Sequence, residues 1–427
     1  MSGVAHPRRS NAPHVNADRL WSRHMELARV GVVEEVGNCR LALSDEDGTV
    51  RDMFAGWCRE AGLTLRSDRA GNMFALRAGR DPSRAVVAAG SHLDTQPHGG
   101  RFDGISGVLA ALEAIEALND AGIETEAPLA VINWTNEEGV RFAPGLLGSA
   151  WFAGRIADET LDNIVSADGA RFADEVARIG WRGDMLPVDL TLDSFFELHI
   201  EQGPVLERAG AQVGVVTSVQ GLRWLDVAIT GRDSHAGTTP LDLRKDALLA
   251  AGAILVALRR TGLAAGPDAR VSVGRLATAT DGPSTIVGHA DLVIDIRHPD
   301  QGALDRLARD CAEACCTAAA EFDCEAEVSE RFAIPPQLFD RDCVALVETA
   351  ARALDLDYLR LPSGALHDAA NIAALTPTAM VFVPCRDGIS HNVQEYAAPE
   401  DLAAGADVLL HAMLERAGIV SRPDGQG

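Results

Sequence analysis

Apolar residues recur along the first third of the chain, first at helical spacing and then at strand spacing. Leu20, Trp21, Met25, Leu27 and Ala28 fall near one helix face, so a helix is expected over 18–33, packed on the outside of a first domain. A second helix is expected over 50–61, stopping at Gly62. Short strands follow over 64–66 and 73–77, joined by the turn-forming run 68–72. Next come an apolar strand over 85–89, a helix over 105–121 and a strand over 129–135. Helix alternating with strand is the mark of an α/β sheet with helices on its faces. Residues 155–192 carry few strand signals and read as helical turns.

The rhythm changes near Gly221. Strand 225–230, helix 247–260, strands 271–276 and 290–296, helix 304–322 and strand 325–330 describe a self-contained layer of four strands and two helices. Pro335 and Pro336 mark the way back, and 341–413 alternates helix and strand again. The expected class is α/β. A catalytic domain built from 20–219 and 335–427 around a central mixed sheet flanked by helices carries a smaller inserted α+β domain over 220–334. A flexible tail is expected over 1–19.

Composition narrows the partners. A chain of 427 residues exceeds what one core usually supports, and a 47% hydrophobic share provides ample interior for two domains. The formal net charge of −24 argues against a nucleic-acid surface, which needs clustered cations. No apolar segment stands in the first 19 residues. The longest apolar run, 247–258, is bracketed by charges and too short to span a bilayer, so no membrane partner is expected. Eight cysteines scattered without a paired framework point to the reducing cytoplasm.

Four strand ends carry the candidate chemistry. The strand over 85–89 runs into GSHLDTQPHGGRFDGISG, residues 90–107, which holds His92, Asp94 and Asp103. Residues two apart in an extended segment face the same way, so Asp94 is placed to hold the second nitrogen of the His92 imidazole, as carboxylates behind metal-bound histidines do. The glycines let this loop turn back and return Asp103 to the mouth of the strand. A second strand ends in Asn136-Glu137-Glu138-Gly139, at the C-terminal edge where parallel sheets present ligands. FFELHIEQGP, residues 195–204, puts His199 at a third strand end with Gln202 behind it. GISHN, residues 388–392, puts His391 after a strand over 379–383. Taken singly, a His-x-Asp or an adjacent Glu pair is commonplace. Spread over four strand ends, the set is unlike compact structural zinc spacing and suits a catalytic site where two ions share one carboxylate and keep a position open.

Through these motifs the chain resembles the amidase and carbamoylase branch of the dinuclear-zinc aminoacylase and exopeptidase superfamily. That branch includes N-carbamoyl-L-amino-acid hydrolases, beta-ureidopropionases and allantoate amidohydrolases. The likeness runs from about Asn16 to Met413 through GSHLDTQPHGGRFDG, NEEGVRF with GLLGS, ELHIEQGPVLE, GRDSHAGTTPLDLRKDA, DIRHPD, PSGALHDA and GISHN, in family order. The resemblance implies two divalent metal ions held by His92, Glu138, His199 and His391, with Asp103 bridging them and Glu137 as general base. It implies that His235 donates to the oxyanion of the tetrahedral intermediate, often from the partner subunit. It implies that Gln202, Arg297, Ser284, Gly364 and Ala365 contact substrate, and that the inserted domain acts as a lid and a homodimer surface.

Residue chemistry bears on several of these. Arg297 offers a planar fork suited to a substrate carboxylate, or else pairs with Asp295 or Asp300. His235 lies in a Gly- and Thr-rich turn, and Thr238, Thr239 and Pro240 after it read as a helix start. Two positions depart from the family pattern: Ser284 stands where asparagine is usual and Leu366 where glycine is usual. No G-x-S-x-G elbow supports a serine nucleophile. The expected activity is metal-dependent hydrolysis of a linear amide or ureido C–N bond, foremost in an N-carbamoyl-L-amino acid, releasing amino acid, ammonia and carbon dioxide. Allantoate, beta-ureidopropionate and N-acyl amino acids are the alternative substrates, and a non-catalytic metal-binding scaffold is a third reading. Imidazole and carboxylate ligands suit Zn, Mn, Co or Ni alike.

Overall fold

In the computed structural model, which describes residues 13–280 and 282–420, the first helix α1 (Ala17–Leu27) starts where the Asn16 side chain accepts from the Arg19 amide. Its far end is closed by Asn38, whose side-chain amide donates to the carbonyls of Ala28 and Val30. The helix expected as far as residue 33 therefore stops early, and Val32–Val33 pairs instead with Gly37–Asn38. Of the tail expected over 1–19, residues 1–12 lie outside the described residues. Ala17, Asp18 and Arg19 are helical, fixed because the Arg19 guanidinium forks onto Glu113. Helix α2 (Asp45–Glu60) starts ahead of its expected first residue because Ser44 caps it and Asp45, Glu46 and Asp47 fill a first turn that favours negative charge.

Strands β1 (Thr64–Ser67), β2 (Met73–Arg77) and β3 (Val86–His92) follow, then helix α3 (Ile105–Asp120) and strands β4 (Leu129–Trp134), β5 (Leu192–Ile200) and β6 (Val213–Val219). The next stretch holds β7 (Gly221–Thr230), α4 (Ala247–Ala264), β8 (Arg270–Thr278), β9 (His289–His298), α5 (Gln301–Ala320) and β10 (Glu325–Ile334). The chain ends with α6 (Arg341–Ala353), β11 (Tyr358–Ser363), β12 (Thr378–Val383) and α7 (Pro399–Ala417). Residues 218–338 form one compact unit, and the residues before and after them form another.

The larger unit is built on a mixed sheet in the order β6-β12-β5-β3-β4-β2-β1. Its four central strands β12, β5, β3 and β4 are mutually parallel, and the flanking pairs are antiparallel. Strands β3, β4 and β12 are buried along their whole length, as parallel strands covered on both faces are. Because the four run the same way, their C-terminal ends share one edge of the sheet. His92 closes β3, His199 lies one residue from the end of β5, and Glu137 and Glu138 follow β4.

In the smaller unit the sheet order is β8-β9-β7-β10, antiparallel throughout. One face is covered by α4 and α5, where Leu225, Val227, Ile229, Leu292, Ile294, Ile254 and Leu307 form the core. Helix α4 is capped by Asp246, which accepts from the Leu248 and Leu249 amides. The Thr-Thr-Pro run leads instead into one short 3-10 turn, Leu241–Leu243, ahead of this helix. Helix α4 runs through Arg259 and Arg260 to Ala264, so by length and composition it could cross a membrane, beyond what the apolar run alone suggested. Its Ala250, Ala251, Ile254 and Leu258 are nevertheless buried in the core of this unit.

His24 of α1 is fully buried, its Nδ1 donating to the Leu20 carbonyl and its Nε2 accepting from the Ser106 hydroxyl. Burial pushes its pKa down to about 4 from 6.5. The unfolded chain therefore takes up this proton as pH falls through about 6.5, whereas the folded chain waits until about 4. Stability from the neutral ring is complete above the upper value and lost across that window. Relative to His24→Gln, the metal-free protein should lose about 2–3 kcal/mol of unfolding free energy between pH 7 and pH 4.5, read from urea midpoints. A wild-type minus variant difference that stays flat would contradict this.

Candidate metal centre

The ligand-bearing loops are placed by contacts beneath the sheet edge. Arg51 of α2, fully buried, pairs with Asp47 and donates to the Gly71 carbonyl and to the Thr135 hydroxyl, tying the end of β4 to the helix. Asp103 lies just ahead of α3. Gly104 between them has φ of +69°, and a Cβ there would lie 2.3 Å from the His92 ring. Only glycine both adopts that backbone and admits the imidazole. Asn136, Gln202 and His391 also have positive φ, at 58°, 57° and 54°. Strained non-glycine residues of this kind gather where the surroundings over-determine a functional geometry.

Asp103 is the centre of the arrangement. Its Oδ1 lies 3.6 Å from His92 Nε2 and 3.2 Å from His199 Nε2. Its Oδ2 lies 3.4 Å from His391 Nε2, which is 3.6 Å from Glu138 Oε2. Asp103 thus joins two groups of side chains able to hold an ion, His92-Asp103-His199 and Asp103-Glu138-His391. Glu137 Oε2 stands 3.7 Å from His92 Nε2. Tetrahedral ligands at 2.0–2.2 Å from an ion lie about 3.3–3.6 Å from one another, close to the spacings seen.

The tautomers fit a cation as well. His92 Nδ1 donates to the Asp94 carbonyl and His199 Nδ1 to the Ile200 carbonyl, both at 2.9 Å, so each ring turns an Nε2 lone pair towards Asp103. His92 Nε2 is buried and has no hydrogen-bond partner. A buried lone pair left unpaired among carboxylates is costly without a cation to receive it.

The charges agree. Burial would raise the Asp103 carboxyl, but the imidazoles of His199, His391 and His92 outweigh it and hold it well below the usual carboxylate range. Burial pulls His92 and His199 down, yet the carboxylates around them win, and both end raised. Contact with Asp103 lifts His391 to about 9, against its burial. Burial lifts Glu138 to about 7, with Asp103 adding to it. Glu137 is pushed well above the carboxylate range, first by burial and then by Glu138, Asp368 and Asp103, although His92 opposes. A field that draws protons onto these imidazoles draws divalent cations in competition with them.

Asp94 does something other than expected. The His92 ring is held by the Asp94 backbone carbonyl, while the nearer carboxylate oxygen is 3.8 Å from Nδ1. The carboxylate instead accepts from the amides of Glu137 at 3.3 Å and Glu138 at 3.2 Å. Two residues on, the backbone of the extended segment reaches the ring first, and the side chain is left to fix the glutamate pair.

Gln202 Nε2 donates to Asp103 Oδ2 at 2.8 Å, so it touches the proposed ligand itself. Gly364 is exposed, and a Cβ built there would meet nothing within 4 Å; the Ala365 amide donates to Ser363, whose hydroxyl also meets His367 Nε2 at 2.8 Å. His235, Ser284 and Arg297 belong to the smaller unit. His235 Nδ1 accepts from the Gly237 and Thr238 amides at 3.0 and 3.2 Å, so its proton sits on Nε2. The Ser284 carbonyl accepts from the Ala236 amide next door, while Arg297 forks onto Asp295, through Nε at 2.9 Å and Nη2 at 3.0 Å.

Several residues at this site carried no role in the sequence reading. Gln96 donates to Glu138 Oε2 at 2.6 Å. Buried Glu197 accepts from the Ser91 hydroxyl at 2.6 Å and the Ala369 amide at 2.8 Å. The ring of His367 packs edge-on to His199 with centroids 4.5 Å apart. A charged residue inside the apolar run FFELHI was the available signal for Glu197. For the others no local spacing exists.

The profile of peptidase family M20/M25/M40 matches residues 88–415. An N-carbamoyl-L-amino-acid amidohydrolase of Rhizobium meliloti is 45% identical over 409 residues, 95% of this chain and 98% of that protein. A ureidoglycolate hydrolase of Oryza sativa subsp. japonica is 34% identical over 417 residues, 94% of this chain and 84% of that protein. Among solved structures, an amidase of the hydantoinase/carbamoylase family from Burkholderia multivorans matches with a TM-score of 0.91 at 45% identity, covering 95% of this chain and 98% of its own.

Proposed function

Because the chain belongs to peptidase family M20/M25/M40, whose members are metal-dependent hydrolases, we propose that it hydrolyses the ureido C–N bond of N-carbamoyl-L-amino acids. The observation that carries this reading is the division of the Asp103 carboxylate between two ligand groups beside Glu137. Two divalent ions, one in each group, are proposed, with His92 and His199 on one side and Glu138 and His391 on the other. Bound there, divalent cations supply Lewis acidity, polarising a carbonyl and making a nearby water more acidic.

Glu137 takes the proton of the attacking water and returns it to the leaving nitrogen. Asp94 holds the amides of Glu137 and Glu138, and so orients the base rather than touching substrate. His235, with its proton on Nε2, donates to the oxyanion. Arg297, its guanidinium oriented by Asp295, binds the substrate carboxylate, assisted by Ser284. Gln202, Gly364 and Ala365 are proposed to contact substrate.

His235→Ala should lower kcat by about two to three orders of magnitude with bound metal unchanged. Equal kcat in variant and wild type would remove His235 from the reaction. The reaction class is tested by loading the protein with Mn²⁺, Zn²⁺ or Co²⁺ and scoring ammonia and amine release. The panel holds N-carbamoyl amino acids of both hands, N-acetyl amino acids, ureidoglycolate and allantoate. Release from N-carbamoyl-L-amino acids above the rest is expected, and no release from any ureido compound would end the proposal. Other ureido acids are the second reading, favoured by the rice relative. A homodimer through the smaller unit fits the exposed Leu248, Leu249, Leu255, Val256 and Leu263 of α4, and solution mass tests it.

A further inference from the structure

His391 differs from the other candidate ligands in being half exposed, with 50% of its side chain open to solvent. Burial does not hold it. Asp103, with which it must stay in register, sits at the end of a loop rich in glycine. Something else has to keep the two loops together, and Glu395 touches both. Its Oε1 accepts from the amides of Phe102 and Asp103, at 3.0 and 3.1 Å. Its Oε2 lies 3.0 Å from Ser390 Oγ, which is 2.8 Å from Asp103 Oδ2. One carboxylate therefore grips the backbone of the Asp103 loop and, through one hydroxyl, the residue next to His391.

The grip is itself fixed. Glu395 is 4% exposed, and its own amide donates to the Asn392 carbonyl at 3.0 Å. The neighbouring Tyr396 ring meets Phe102 edge-on at 5.8 Å and Trp21 at 6.4 Å. The Asp103 loop closes directly on the carboxylate, so that a Cβ at Gly100 would lie 2.1 Å from Glu395 Oε1. Glu395 belongs to neither ligand group around Asp103, so it acts through Asp103 and His391.

We propose that Glu395 is a positioning residue that locks the loop bearing the shared carboxylate to the loop bearing His391, and so determines whether the Asp103-Glu138-His391 group can hold its ion. The inference rests on the metal reading given above. Its test is equilibrium dialysis of the metal-free, full-length protein against Mn²⁺, with bound metal and the melting temperature of the metal-free protein measured for each variant.

Glu395→Ala should weaken Mn²⁺ binding by about 10–100-fold and cost one of the two ions at limiting metal. Glu395→Gln should bind as wild type does, because its amide oxygen still accepts from both backbone amides and its NH₂ donates to Ser390. Ser390→Ala, which keeps the Glu395 carboxylate on the Asp103 loop but cuts the hydroxyl link to the residue beside His391, should weaken binding, and it serves if Glu395→Ala does not fold. Wild-type affinity in Glu395→Ala or Ser390→Ala overturns the inference, as does a loss in Glu395→Gln equal to that in Glu395→Ala. A wild-type protein that binds no Mn²⁺ would instead overturn the metal reading beneath it.

Discussion

Asp103→Asn is expected to bind neither ion at wild-type affinity and to lose about four orders of magnitude or more in turnover. The argument is one of shared connectivity. Each oxygen of Asp103 faces a different group, Oδ1 towards His92 and His199, Oδ2 towards His391 and, beyond it, Glu138. Asparagine keeps the shape, and with it an acceptor for Gln202 and Ser390, yet removes the charge that both groups have in common. It also points an NH₂ at one of them, where a cation would have to be met. His391→Ala is the useful contrast, since His391 belongs to one group only, and at limiting metal it should retain one ion. Metal content and turnover of the two variants, measured side by side, decide the point. Two ions held by Asp103→Asn as tightly as by the wild type would mean that this carboxylate bridges nothing.

The sequence showed where such a site could form because sheet geometry and apolar patterning are local. Runs of buried residues such as those of β3, β4 and β12 read directly as strands, and their ends carry the histidines and glutamates. Parallel neighbours then bring those ends to one edge without further information. Where the reading went astray, a different local contact won. Asn38 and Ser44 close and open the first helices at residues that periodicity alone passes over, although a serine before three acidic residues is a legible cap. The Asp94 expectation failed because a carbonyl in an extended segment lies nearer the His92 ring than the side chain does. Glu395 could not have been singled out at all, since the amides it holds lie 292 and 293 positions away, and only the folded sheet brings them together.

The adjacent glutamates should separate cleanly. Glu137→Gln is expected to lower kcat by about 10²–10⁴-fold while leaving bound metal and KM near their wild-type values. Asn136, with φ of 58°, turns the chain at the end of β4, and Asp94 then holds both glutamate amides. Out of that turn Glu138 reaches His391 and joins a ligand group, whereas Glu137 stands beside His92 and belongs to neither group. A glutamine at 137 fills the same space and keeps the same backbone contacts, but it cannot accept the proton that the attacking water must lose. Glu138→Gln, by contrast, weakens a ligand and should show first as lost metal, with activity recovering as metal is raised. If Glu137→Gln loses metal in step with activity, the residue is a ligand and the base must be sought elsewhere. If it keeps both, proton transfer does not run through this carboxylate, and the orienting of the glutamate pair by Asp94 would need another explanation.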